Sequence, residues 1–121
     1  MNALIDSDVL LDFLDGYPAA AEEIARYREC CISIVCWMEL MTGAKDFEDE
    51  EMRRGFLRHF RLLPLTPEIA EEAVRLRQQH RLKLPNAIIW ATAVTHNYLL
   101  VTRNSKDFPA DQPGVRFPYR R

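Results

Sequence analysis

The chain is poor in cysteine and histidine, with three of each, and has only four glycines. Cys30, Cys31 and Cys36 lie within one apolar segment, two of them adjacent. An odd, crowded set of thiols is no disulfide frame; it reads as reduced side chains in the core of a cytoplasmic protein. No second cluster of Cys or His has the spacing of a zinc centre. His59, His80 and His96 are scattered over helical stretches, so a Ser-His-Asp triad has no support. Long apolar runs are also missing, which argues against a membrane span. A basic stretch followed by an apolar one, the mark of a signal peptide, is not evident at the start. Nor does one sign of charge dominate, since 16 basic against 18 acidic residues leave a net −2. Any nucleic acid must therefore be met by a local basic patch, or by metal ions between carboxylates and phosphates.

What remains is ordinary globular material, 48% apolar and 28% charged, in 121 residues. That length suits one domain, residues 1–121, with a sizeable core. There are no repeats or low-complexity segments. Short apolar runs predict strands at 3–5, in "CISIV", in "RLLPL" and in "YLLVT", with "GVRFP" as a final edge strand. Helical spacing predicts a helix from Ser7, its cap, to Leu14, with Leu10, Leu11 and Leu14 inward. A second helix is predicted over 19–29 through Ala20, Ile24 and Tyr27. A third starts at Ser33, holds Trp37, Leu40 and Met41, and ends at Gly43. Residues 47–60 place Met52, Phe56 and Phe60 on one face. Thr66-Pro67-Glu68 opens a helix to about His80, with Ile69, Ala73 and Leu76 inward. "RLKLP" reads as a loop, "RNSKDFP" as a loop or single turn, and "NAIIWATAV", apolar on nearly every side, as a buried helix opened by Asn86. Alternating strands and helices predict an α/β fold with a parallel sheet covered on both faces. In such sheets, ligands sit beyond the carboxyl ends of the strands.

The polar residues at those ends are therefore the candidates. Asp6 and Asp8 follow the first strand, and Glu39 stands in the apolar "SIVCWMELMTG". Asn86 opens the buried helix, and Asn104 and Asp107 follow the fourth strand. Carboxylates with amide neighbours suit a hard cation such as Mg²⁺ or Mn²⁺. Such an ion binds phosphate esters and activates water. Each residue also has a plainer role. Asp6 and Asn86 can cap helices, Asp8 suits a first helical turn, and Asp107 can fix the turn before Phe108-Pro109. Arg103, with Ser7 and Thr102, is the candidate for holding substrate phosphate; Arg103 and Lys106 can equally just solvate a loop. Arg77, Arg81 and Lys83 read as a wet helix face, and the basic "RFPYRR" as a frayed end.

"LIDSDVLLDFL", "SIVCWMEL", "LPNAIIWATA" and "LLVTRNSKDF" stand in the order and approximate spacing of the PIN-domain nucleases. The chain most resembles their small VapC-type toxins from bacterial toxin–antitoxin pairs, over almost its whole length. The resemblance implies a three-layer α/β/α domain with a central parallel sheet of four to five strands. It implies a Mg²⁺- or Mn²⁺-dependent endoribonuclease that cuts RNA, dimerises with itself and is silenced by a VapB-type antitoxin. Asp6 matches the first acidic position and Glu39 the second. Asn86 stands where the family usually has Asp, and Asn104 and Asp107 compete for the fourth position. An amide oxygen can ligate a hard cation but brings no charge, so metal affinity is expected to fall. Asp8, where relatives often carry Asn or Ser, can restore that charge. The alternative is a catalytically weak or inactive scaffold that only binds RNA or an antitoxin. A phosphoacceptor domain needs an Asp at the end of the middle strand, and "PLTPE" supplies none.

Overall fold

The computed structural model describes residues 1–121. In chain order the elements are β1 (Asn2–Ile5), α1 (Ser7–Leu14), α2 (Pro18–Ala25), β2 (Glu29–Ser33), α3 (Ile34–Thr42) and α4 (Phe47–Leu57). Then follow β3 (Arg61–Leu63), α5 (Pro67–His80), α6 (Leu84–His96), β4 (Leu99–Val101) and β5 (Val115–Arg116). The five strands form one parallel sheet in the order β3-β2-β1-β4-β5, as the alternation predicts. The chain moves outward from β1 to β3 and then crosses back to β4 on the other side of β1. Crossovers that run from β1 in both directions put helices on both faces, completing three layers. The reversal opens a crevice where β1 and β4 end side by side, paired through Ile5 and Val101.

Burial on both faces explains the strand composition. Ala3, Leu4 and Ile5 in β1 and Leu100 and Val101 in β4 are fully buried. β3 stops before Pro64, which cannot donate to a ladder. α5 packs along α6 through Ile69, Ala73 and Leu76, the predicted inward residues. α6 buries Ala87, Ile89, Trp90, Ala91, Thr92 and Ala93, as its apolar circumference requires.

Several local expectations are corrected. Asp6, not Ser7, caps α1; Val9, Leu10 and Asp12 are buried, and Leu14 packs on the core as expected. Leu11 is exposed. α2 ends at Ala25, so Tyr27 packs on the core from a turn and not from a helix. β2 starts at Glu29 and yields at Ser33, whose hydroxyl accepts the Cys36 N–H at 3.1 Å. That cap turns the β-branched Ile34 and Val35 into helix, against their strand preference. α4 stops at Leu57, leaving Met52 exposed and Leu57 and Phe60 buried. α6 starts at Leu84, with Pro85 in its first turn, so Asn86 is neither its first residue nor its cap.

Candidate active site

β1 delivers the chain to the crevice, where the Asp6 N–H donates to Val101 O at 2.9 Å. Asp6 is 6% exposed. Its Oδ1 accepts the Ser7 N–H at 2.8 Å and its Oδ2 accepts the Thr102 hydroxyl at 2.7 Å. The Cys36 thiol lies 3.7 Å from Oδ1. Glu39 stands on the exposed side of α3, and its Oε1 accepts the Ser7 hydroxyl at 2.5 Å. Ligand atoms of Asp6, Cys36 and Glu39 lie within 4.8 Å of one another. Residues far apart in sequence thus converge at one rim of the sheet.

The other candidates form a network leading away from Thr102. Its hydroxyl oxygen accepts the Asn104 N–H at 3.1 Å. Asp107 Oδ2 accepts from Asn104 Nδ2 at 3.0 Å and from Asn86 Nδ2 at 3.1 Å, and Asp107 N–H donates to Asn104 Oδ1 at 3.3 Å. Asn104 therefore braces Asp107, and Asp107 is the residue in contact with Asn86. Asp8 accepts the Arg103 backbone N–H with both oxygens, at 3.3 and 3.2 Å.

The three groups expected to hold substrate each have internal partners. Ser7 and Thr102 donate their hydroxyls to Glu39 and Asp6. Arg103 grips Asp12 with Nε at 2.8 Å and Nη2 at 3.1 Å. Two residues of this neighbourhood escaped the sequence reading. Asp12 was legible as a lone carboxylate one turn beyond Asp8 in an apolar helix; Cys36 was legible only as a core thiol.

Electrostatics mark the rim more clearly than shape. Burial first, and then the charges of Asp8 and Glu39, push the Asp6 carboxyl up to about 7, against the hydrogen bonds from Thr102 and Ser7. Burial also raises Asp8, partly offset by the Arg103 N–H and charge. Burial and the neighbouring Asp6 charge push the Cys36 thiol far up, so it stays protonated. A surface hollow of about 520 Å³ opens elsewhere, lined by Met1, Arg28, Asn97 and Tyr98 near the start of β1. It gathers no acidic residues and none of the candidate residues.

A parallel sheet reversing at β1, with buried acids at its carboxyl rim, defines the class: the PIN-domain profile matches residues 3–110, and the chain belongs to that family. Its relatives point within the family to the VapC proteins. It is 37% identical to ribonuclease VapC10 of Mycobacterium tuberculosis over 114 residues, covering 88% of this chain and 85% of the relative. It is 43% identical to a chain of a toxin–antitoxin complex from Klebsiella pneumoniae, with a TM-score of 0.91 over 98% of both chains. The DNA-bound VapBC of Salmonella typhimurium shares the fold at 20% identity, with a TM-score of 0.77 over 96% of each chain. No helix is long and apolar enough to cross a membrane.

Proposed function

We propose that this chain is a cation-dependent endoribonuclease, the cytoplasmic toxin of a VapBC-type pair, active as a homodimer and restrained by a VapB-type antitoxin. One observation carries the reading: Asp6 and Glu39, brought together at the rim with ligand atoms within 4.8 Å. The likeness to a ribonuclease and to a toxin–antitoxin complex supports the substrate and the partner.

The donor set fits a hard divalent ion. Asp6 and Glu39 would hold it, with Asp8, Asn86 through its amide oxygen, Asp107 and Asn104 completing the site directly or through water. Asp6, held near 7 by burial and by like charges, is a carboxylate that lacks a counter-charge. When bound, Mg²⁺ or Mn²⁺ supplies Lewis acidity at the phosphate and a low-pKa water. The chain does the rest. Ser7 fixes the Glu39 carboxylate, Thr102 fixes Asp6, and the Asn86 and Asn104 amides hold Asp107.

The test is cleavage of single-stranded RNA with Mn²⁺, with chelator, and by the Glu39→Gln variant. Cleavage that needs the ion and Glu39 is the expected result. Cleavage that survives both chelator and Glu39→Gln overturns the proposal, as does a cation-loaded wild type that cuts no RNA.

A further inference from the structure

Asp12 lies on the inward side of α1, and only 2% of it is exposed. Its carboxylate meets four donor atoms: Arg103 Nε at 2.8 Å, Arg103 Nη2 at 3.1 Å, the Tyr119 hydroxyl at 2.8 Å and Arg121 Nη1 at 2.7 Å. Arg121 Nη1 also reaches Asp15 at 3.1 Å. The Arg121 guanidinium sits 4.8 Å from the centre of the Tyr17 ring, and Tyr119 packs on that ring at 5.2 Å. Residues 119–121, expected to fray, are instead laid along α1. One carboxylate thus organises two cations and a phenol from two separate parts of the chain, the segment after β4 and the C-terminal tail. Its own proton affinity, raised by burial, is brought below the ordinary range by the bonds from Arg103, Arg121 and Tyr119.

A buried ion pair adds little net stability over apolar packing; what it offers is fixed geometry. Here the geometry leads to the candidate site. Arg103 directly follows Thr102, whose hydroxyl binds Asp6 and receives the Asn104 N–H. The backbone N–H of Arg103 itself binds Asp8. The residue whose side chain Asp12 grips therefore carries, in its backbone, the contact to an acidic residue of the site. We propose that Asp12 is a positioning residue: clamped from outside by Tyr119 and Arg121, it holds Arg103 and so sets the segment 102–107 against Asp6 and Asp8. This deepens the nuclease reading and rests on it.

Arg121 acts on Asp12 through one nitrogen, whereas Arg103 uses two. A lysine ammonium can replace a single contact but not a two-pronged one. The experiment compares Asp12→Asn, Arg121→Gln, Arg121→Lys and Arg103→Lys in the full chain. It reads kcat and KM on single-stranded RNA with Mn²⁺, and hydrogen exchange of the Arg103 and Asn104 amides without added cation. Asp12→Asn and Arg121→Gln are expected to lower kcat about 10- to 100-fold, the usual loss when a supporting partner is removed, with KM little changed. The Arg103 amide should exchange faster in both. Arg121→Lys should restore both readouts, and Arg103→Lys should not. Should Asp12→Asn fail to fold, the Arg121 pair decides. An Arg121→Gln variant with wild-type kcat and wild-type Arg103 exchange overturns the inference, as does equal loss in Arg121→Gln and Arg121→Lys. Were the wild type to cut no RNA, the nuclease reading would fall while the exchange measurement still judged the positioning claim.

Discussion

The Ser7 hydroxyl donates to Glu39 Oε1 at 2.5 Å, tying the first residue of α1 to the outer side of α3. Ser7 N–H also donates to Asp6 Oδ1, so one small residue touches both Asp6 and Glu39. Glu39 is otherwise exposed, and the bond from the Ser7 hydroxyl is the one hydrogen bond of its side chain.

Ser7→Ala should therefore slow RNA cleavage by about 10-fold or more, because Glu39 loses its orientation. Stability should change by only about 1 kcal/mol, the net worth of one hydrogen bond. Steady-state cleavage and thermal melts on the same preparation separate the two. A Ser7→Ala enzyme with unchanged kcat would show that Glu39 needs no tether.

Asp6→Asn should abolish cleavage yet melt no lower than wild type in the absence of divalent cation. The substitution removes a buried charge, held near 7 chiefly by burial and further by the charges of Asp8 and Glu39. Added Mn²⁺ should raise the melting temperature of the wild type and leave the variant unmoved, since ligand binding to the folded state stabilises it. Equal stabilisation of both proteins by Mn²⁺ would place the ion elsewhere.

The fold was legible wherever periodicity was strong. The alternation of apolar runs and helical patterns predicted a parallel sheet, and β1 and α5 fell close to where their side chains said. Boundaries failed where a single hydrogen bond outvoted propensity. The start of α3 at Ser33 and its end at Gly43 were read from the sequence; what failed was the strand read on through Ile34 and Val35, which the Ser33 cap turns to helix, and the start of α6, which Pro85 sets before Asn86. At the candidate site, acidic residues in apolar surroundings singled out Asp6 and Glu39, which the fold brings together. The choice between Asn104 and Asp107 could not be read, because it depends on which of two neighbours in a turn reaches Asn86. The geometry shows both bound to each other and Asp107 bound to Asn86. Asp12 stayed hidden because its partners, Arg103, Tyr119 and Arg121, come from the far end of the chain.

Asn86→Asp should tighten the cation and loosen the cation-free fold. Asn86 Nδ2 donates to Asp107 Oδ2 at 3.1 Å; a carboxylate in its place would set two like charges against each other. A divalent ion relieves that repulsion, so calorimetric Mn²⁺ titration should show affinity stronger by about 10-fold, roughly 1.4 kcal/mol. The melting temperature without cation should fall. Unchanged affinity would mean that position 86 lies outside the ion's reach.

Glu23 and Arg116 are the test of what anchors the short edge strand β5. Glu23, on α2 and 4% exposed, takes Arg116 Nε at 2.7 Å and Nη2 at 3.0 Å, while the Tyr27 hydroxyl donates to the same carboxylate. Burial pushes the Glu23 carboxyl up, but the bonds from Arg116 and Tyr27 outweigh it and hold it below the ordinary glutamate range. A carboxylate depressed in the folded state stabilises fully above its unfolded pKa of about 4.3 and loses that contribution as pH falls through the folded value. The wild type should accordingly lose stability below about pH 4 more steeply than Glu23→Gln, which has no such proton to take up. Arg116→Met should cost about 3–5 kcal/mol at neutral pH, because it leaves the Glu23 charge buried with the Tyr27 hydroxyl and, as its one remaining cation, Arg26 at 3.8 Å. Urea melts of the three proteins across pH 3 to 7 read both effects. Parallel pH profiles for wild type and Glu23→Gln would mean that β5 is held by Val115 packing and its ladder to β4, with the ion pair contributing nothing to the fold.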